Sequence, residues 1–576
     1  MDMGVGMDFY PPIISDINWA DKTMHRTKRA KLESASAVSS DRFSHLPPEI
    51  KLTILSKLNV LDAIRASILS SAWKNVWTTS PAILLSDAYH IPGSSITTRP
   101  KFITLVDLAL LLHNGPLASF SLACFRTYHD VFDRWMCMLS RKKPRSVKIK
   151  FYNGDKYKIP SSLFSISGLD YLHLKRCIIG LPQKFEGFKQ LTVLNLKHFS
   201  STDSDIHNLV SSCPLLTTLC LKYFEGINCL SIKAQALQDL DVKGNFQDFH
   251  LHAPNLCNVY VTLGKTENEQ SAVVAGNRKN YLKQAFVGPS NIYRLVIKRC
   301  IVALPLEFEG FKRLLVLNLK YFSSTDSDIN KLISSCPWLN TLRLKHFDGI
   351  SCLRIQAQAL QILEVEGNFE DFHLDAPNLS HVYLTLDKIE AQQSVAVAPD
   401  MKNYLKQAFD SLTSIEELTI NGSFLTYLSK GCLLTKLPGV FNRLRKICIE
   451  KCSWNWAEVL GACSIFQNAP TFRELEIWSF FRPEASWCQP IWDEDQTEIE
   501  EPTLHHLVTV TMNGFVGLEY EIALVGLLLR WSSALEEMKI IRFEDEDDIY
   551  DECMCNALTK LLALPRVSNK AKITFI

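Results

Sequence analysis

The chain has 576 residues, is 47% hydrophobic and carries a formal charge of +1 at pH 7. That length suits several domains or one long repeat array, and so balanced a charge provides no global field favouring nucleic acid or an anionic membrane. The first residues lack a basic segment followed by an apolar run, and the longest apolar stretch, Phe102–Leu112, is too short to cross a bilayer, so a soluble protein with no membrane partner is expected. The seventeen cysteines show no paired C-x-x-C spacing and fall within apolar segments, as buried free thiols in a reducing compartment would. Cys553 and Cys555 lie close together, but no second ligand pair follows, and neither a metal nor a cofactor is expected.

In chain order, residues 1–40 read as a disordered, Ser-rich tail. Its basic cluster "HRTKRAKLE" (His25–Glu33) is a candidate nuclear import signal, so the nucleus, the cytoplasm or both are expected locations. Asp41–Leu85 reads as a compact run of amphipathic helices. Pro47 and Pro48 stand at a helix start, with Ile50, Ile54, Leu55 and Leu58 following at helical spacing. Asp62 caps a second helix carrying Ile64, Ser67 and Ile68, and Trp73 and Trp77 lie one turn apart in a third. A segment this small cannot bury that much apolar surface alone, which points to a partner.

Residues 87–145 read as a helical linker or cap, ending in the basic run "RKKPRSVKIK" (Arg141–Lys150), taken as a solvated rim. From residue 146 a rhythm sets in, with Val147 as its first rung. Leu169-x-x-Leu172-x-Leu174-x-x-Cys177 has the spacing of a leucine-rich repeat, and Leu191, Leu194 and Leu196 and then Leu216, Leu219 and Leu221 repeat it. The pattern continues, more loosely, to Met538. The alternation points the leucines into a core and the residues between them onto a concave face. "DSDIHNLVSSCPLL" reads as a convex helix, whereas "INCLSIKAQ" and "FQDFHLHAPN" read as convex strands.

A larger period overlies this one. Residues 175–286 align with 298–409 without a gap, at about 70% identity, as a block copied whole. Both copies contain "FSSTDSDI", at Phe199–Ile206 and Phe322–Ile329. Thr202 with Asp205 three residues on suits a helix cap better than a calcium loop, because two carboxylates supply too few oxygen ligands. Residues 493–502 form an acidic loop, and 503–576 read as a strand, a turn at Gly514-Phe515, a helix from Glu519 to Trp531 and a further strand. The expected fold is α/β: a small helical head over 41–86, an irregular leucine-rich-repeat solenoid over 146–492, and a C-terminal cap over 503–576.

The head closely resembles an F-box, with Leu46-Pro47, Glu49-Ile50, Ile54-Leu55, Leu58, Asp62-Ala63, Arg65, Ser67, Leu69-Ser70, Trp73 and Trp77 matching its landmarks. It departs at Ser71 and Ala72, where plant relatives usually carry a basic residue. The C-terminal part is similar to an FBD module, and the order of parts resembles the plant F-box/FBD/LRR-repeat family. That resemblance implies a non-catalytic substrate receptor of an SCF-type ubiquitin ligase. Its implied partners are a Skp-type adaptor, a cullin through it, and an unknown target protein. Leu46, Pro47, Ile50, Ile54, Leu55, Leu58, Ile64, Ser67, Trp73 and Trp77 would be the adaptor-binding set. Lys197, Lys222, Lys243 and their copies Lys320, Lys345 and Glu366, lying between the leucines, are the target-binding candidates. The alternative is a leucine-rich-repeat scaffold without ligase activity. An enzyme is disfavoured, since no Gly-rich phosphate loop, H-E-x-x-H or G-x-S-x-G is present.

Overall fold

The computed structural model describes residues 43, 45–55, 57–58, 62–64, 71–73, 76–88, 99–264, 291–306, 308–369, 371–386, 412–431, 441–452, 456–479, 503–517, 519–542 and 551–576. The expected tail over 1–40, the acidic loop over 493–502, Ser67, and the side chains of Cys553 and Cys555 lie outside this set. The chain divides into two compact units, residues 1–47 and 48–576. In the first, a turn places the Leu46 N–H 3.4 Å from the Phe43 carbonyl.

The second unit is built on one sheet of nineteen described strands, all parallel. Its strands follow chain order from Ala82–Ser86 to Lys572–Phe575, with the convex strands set apart in three two-stranded sheets. The alternation explains the ladder. Leu172, Leu174, Leu194, Leu196, Leu219 and Leu221 point inward and are 0–1% exposed, while the residues between them face out. Each such leucine contributes about 1.5–3 kcal/mol by leaving water.

The ladder begins earlier than expected. Ala82–Ser86 pairs with Ser119–Cys124, which in turn pairs with Ser146–Phe151, so Val147 lies in the third rung. The presumed linker is a helix, Arg99–Leu112, then a strand, then a second helix, His129–Lys142. Leu117-x-x-Phe120-x-Leu122 keeps the repeat spacing with a phenylalanine in the central slot, and that substitution hid the rung. Asp87 fastens this end, accepting from Phe125 N at 2.7 Å and from Arg126 N and Tyr128 Oη at 3.0 Å. At the other end, residues 503–576 add further rungs to the same sheet. Helix Glu519–Trp531 forms as expected, but the last strand, Lys572–Phe575, pairs on one side only, with Glu537–Arg542, and among the described residues it is an edge with no closing element.

On the convex side, "INCLSIKAQ" and "FQDFHLHAPN" form the paired strands Cys229–Lys233 and Asp248–His252, and "DSDIHNLVSSCPLL" forms helix Asp203–Ser211. Thr202 caps that helix, accepting from Asp205 N at 3.1 Å and donating to Asp205 Oδ2 at 2.8 Å. The two acidic residues also reach to neighbouring rungs. Asp205 Oδ1 accepts from Leu181 N at 3.2 Å on one side, and Asp203 accepts from Asn228 N at 2.8 Å and Cys229 N at 3.1 Å on the other. In the second copy Asp328 reaches Leu304 N at 3.3 Å and Asp326 reaches Ser351 N at 2.8 Å. The string "FSSTDSDI" is therefore a staple joining three successive rungs, present twice because the block is present twice.

One glycine in each copy fixes the close approach of rungs. Gly187 has φ +89°, and a Cβ there would stand 2.0 Å from the Ser212 carbonyl oxygen; Gly310 repeats this at φ +88° and 2.1 Å from that of Ser335.

Candidate functional site

Near the N-terminus, helix Pro48–Leu55 exposes Ile50 (47%) and Ile54 (38%) one turn apart. Of the other adaptor-binding candidates, Pro47 is exposed, and Leu46, Leu58, Ile64 and Trp77 are half-buried. Leu55 and Trp73 are buried, at 1% and 9% exposure. The Lys51 ammonium lies 5.9 Å from the centre of the Trp73 ring.

The concave face is set by strand register. Lys197, Lys222 and Lys243 occupy matching positions on consecutive strands, as do Lys320, Lys345 and Glu366. The structure thus brings all six target-binding candidates into one column at the C-terminal ends of the strands. It also adds Lys150, Lys175 and Lys298 to that column, and Lys148, His173, Asn195, Arg343 and Glu364 to the adjacent one. Lys148 and Lys150, part of the basic run expected to form a solvated rim, stand on this face instead. Their alternation with Val147 and Ile149 was the signal that they share the concave face.

Charge is handled differently along the column. Lys222 pairs with Asp241 at 2.5 Å. Lys345 lies 3.0 Å from Glu364 and 3.9 Å from Glu366, Arg343 lies 2.6 Å from Glu364, and Lys451 lies 3.4 Å from Glu366. Lys243 donates to Tyr223 Oη at 2.8 Å. On the three strands starting at Ser146, Tyr171 and Val193, by contrast, the outward positions hold four lysines and no carboxylate. Two of the ammonium groups lie over aromatic rings, that of Lys148 at 5.0 Å from the centre of Tyr171 and that of Lys175 at 4.4 Å from the centre of Tyr152.

His173 sits at the middle outward position of these strands and is 8% exposed, with no hydrogen-bond partner at Nε2. Asn195, in register beside it, has no partner at Oδ1. Burial, then the fields of Lys150, Lys197, Lys148 and Lys175, push the imidazole pKa down to about 3, so the ring is neutral at pH 7.

Just past the strand ends runs a row of left-handed residues: Arg176, His198 and Tyr223, with φ of 61°, 52° and 56°, and in the second copy Arg299, Tyr321 and His346, with φ of 60°, 54° and 51°. His198 stacks on Tyr223 with ring centres 4.6 Å apart, and Tyr321 stacks on His346 at the same distance. The two copies hold the same pair in opposite order.

The described cysteines are all free. Burial raises the thiol pKa of Cys177 to about 12 and those of Cys213 and Cys336 to about 11, so these act as small apolar groups rather than nucleophiles. Among the described residues no cluster of His, Cys, Asp and Glu could hold a metal ion, and no helix is long and apolar enough to cross a membrane.

These features define a leucine-rich-repeat solenoid with a short helical head. A family profile described as "At1g61320/AtMIF1, LRR domain" matches residues 113–283 and 282–560, and an F-box domain profile matches residues 43–82. Three similar proteins come from Arabidopsis thaliana. F-box/FBD/LRR-repeat protein At1g13570 is 35% identical over 241 residues, 41% of this chain and 58% of that one. The putative F-box/LRR-repeat protein At4g15060 is 25% identical over 435 residues, 69% of this chain and 93% of that one. F-box/FBD/LRR-repeat protein At5g56420 is 29% identical over 220 residues, 36% of this chain and 50% of that one. The chain thus spans 58% of the length of the first of these relatives and half that of the third. It belongs to the plant F-box/FBD/LRR-repeat family.

Proposed function

We propose that the protein is the substrate-recognition subunit of an SCF-type ubiquitin ligase, in which the F-box binds a Skp-type adaptor, and through it a cullin, while the repeats bind a target. The observation that carries this reading is an F-box match over residues 43–82 in the same chain as a solenoid of nineteen described strands. The exposed pair Ile50 and Ile54 is the apolar surface such an adaptor would cover. No covalent step falls to this chain. Its contribution is to hold a target lysine near a ubiquitin-loaded enzyme, raising the effective concentration. It would act in the nucleus, the cytoplasm or both.

The test is co-precipitation of a Skp-type adaptor with the full-length protein. Ile50→Asp/Ile54→Asp and Leu46→Ala/Pro47→Ala are expected to abolish capture, with the thermal midpoint of the Ile50/Ile54 variant unchanged. A wild-type protein that captures no adaptor would remove the ligase reading and leave a repeat scaffold, the alternative that Ser71 and Ala72 keep open.

A further inference from the structure

We infer that the outward side chains of strands Ser146–Phe151, Tyr171–Lys175 and Val193–Lys197 bind a carboxylate-rich segment of another protein. The inference names the class of target and rests on the receptor reading for its biological meaning, though not for the binding itself. Three observations meet at this place.

The first is charge. Lys148, Lys150, Lys175 and Lys197 share outward positions of adjacent strands with no carboxylate among them, and all four are half-buried rather than extended into solvent. Elsewhere on the face, basic residues of the same columns have acidic neighbours, as Lys222 has Asp241 and Lys345 has Glu364. The second is the centre of the patch, where His173 Nε2 and Asn195 Oδ1 are buried side by side without partners. A buried polar atom left unmatched is costly; a peptide N–H could donate to Asn195 Oδ1, and a carboxylate could accept from His173 Nε2 in the tautomer that carries its proton there. The third is spacing. Strands stand about 4.8 Å apart, close to the 5.4 Å rise of one helical turn. Carboxylates at one-turn intervals on an acidic helix would follow Lys150, Lys175 and Lys197.

A nucleic acid fits less well, because the same face turns acidic towards its C-terminal end. Glu364, Glu366, Glu417, Glu450, Glu474 and Glu476 hold outward positions there, and the chain is only +1 overall. A long phosphate backbone would be repelled over that half.

The rung that leads into the second copy supplies a control within the chain. The strand equivalent to Tyr171–Lys175 is Arg294–Lys298, in which Val296 stands for His173, so the fold accepts valine at that position. Glu366 likewise occupies the lysine column.

The test uses the full-length protein and a fluorescein-labelled peptide with glutamate at one-turn intervals, read by anisotropy. The expected results are binding that weakens at least tenfold between 50 and 300 mM salt, in line with screening, at least tenfold loss in Lys148→Glu/Lys197→Glu, and a few-fold loss in His173→Val. Lys539→Glu, on a distant strand, is expected to change nothing. Should the double reversal unfold, Lys197→Gln and His173→Val carry the same comparison. Equal binding of a glutamine version of the peptide, undiminished binding by the lysine variants, displacement by inorganic phosphate at the peptide's own concentration, or tighter binding of a single-stranded oligonucleotide would each overturn the inference. Adaptor capture is scored on the same preparations. Loss of that capture alone would strike the receptor reading and leave the peptide result standing.

Discussion

Asp203 is the most informative single residue of the convex staple, because its twin provides a matched comparison. Its carboxylate accepts from two backbone amides of the next rung, Asn228 and Cys229, whereas Asp326 accepts from one, Ser351. A hydrogen bond to a charged group contributes about 1.5–3 kcal/mol when water cannot replace it. Here Asn228 and Ser351 are exposed and Cys229 is half-buried, so solvent recovers part of the loss. Asp203→Ala should therefore cost about 2 kcal/mol of local stability, including a few tenths from the helix dipole, and Asp326→Ala about 1 kcal/mol. At 1.4 kcal/mol per factor of ten, the amides of the paired strands Cys229–Lys233 and Asp248–His252 should exchange with deuterium about 27-fold faster in the first variant. Those of Cys352–Gln356 and Asp371–Asp375 should exchange about fivefold faster in the second. Unchanged exchange in Asp203→Ala, or an effect of Asp326→Ala as large as its twin's, would refute the reasoning.

Three further outcomes follow from the geometry. His173, with a pKa near 3 against 6.5 unfolded, stays neutral in the fold while the unfolded chain takes up a proton. Stability is thus complete above pH 6.5 and declines as pH falls towards 3, by about 2 kcal/mol at pH 5. His173→Val should remove that part of the decline, as read by denaturant midpoints at pH 7.5 and 5. Gly187→Ala places a Cβ against the Ser212 carbonyl at a positive φ and should cost about 2–4 kcal/mol, seen as a lower thermal midpoint. His198→Ala should cost about 0.5–1 kcal/mol, whereas the double swap His198→Tyr/Tyr223→His should be close to neutral, since the second copy already has that order.

The inward leucines announced the solenoid because a buried strand position admits few residue types, and "DSDIHNLV" announced its helix through a cap and an apolar stripe. The first two rungs were hidden by a phenylalanine in a leucine slot and by the long helix between them. The lysine column was legible in its copied members, but not as a surface. Lys150 and Lys175 become neighbours of Lys197 only through strand register, which depends on loops of unequal length. The unmatched atoms of His173 and Asn195 had no sequence signal, because burial at an outward position is a property of neighbouring side chains. The burial of Leu55 and Trp73 is not legible for a related reason: an apolar residue in a short helix can face a partner or its own fold, and helical spacing does not distinguish the two.

At the seam between the copies, Arg294–Lys298 pairs with Asn258–Leu263, whereas the strand at the matching place before the first copy, Tyr171–Lys175, pairs with Ser146–Phe151. The join works because a parallel strand presents the same amides and carbonyls to any neighbour, whatever its side chains. Three outward residues of that strand face the new neighbour: Lys298 opens the copied block and matches Lys175, whereas Arg294 and Val296 lie just before it and differ from Tyr171 and His173. Heredity can therefore lengthen such a chain by whole blocks, roughly 24 Å for five rungs, without remaking the core. Selection then has only the surface of the seam to revise. For a receptor, the length of the reading face becomes a trait that changes in one step, with the original face retained as the copy diverges.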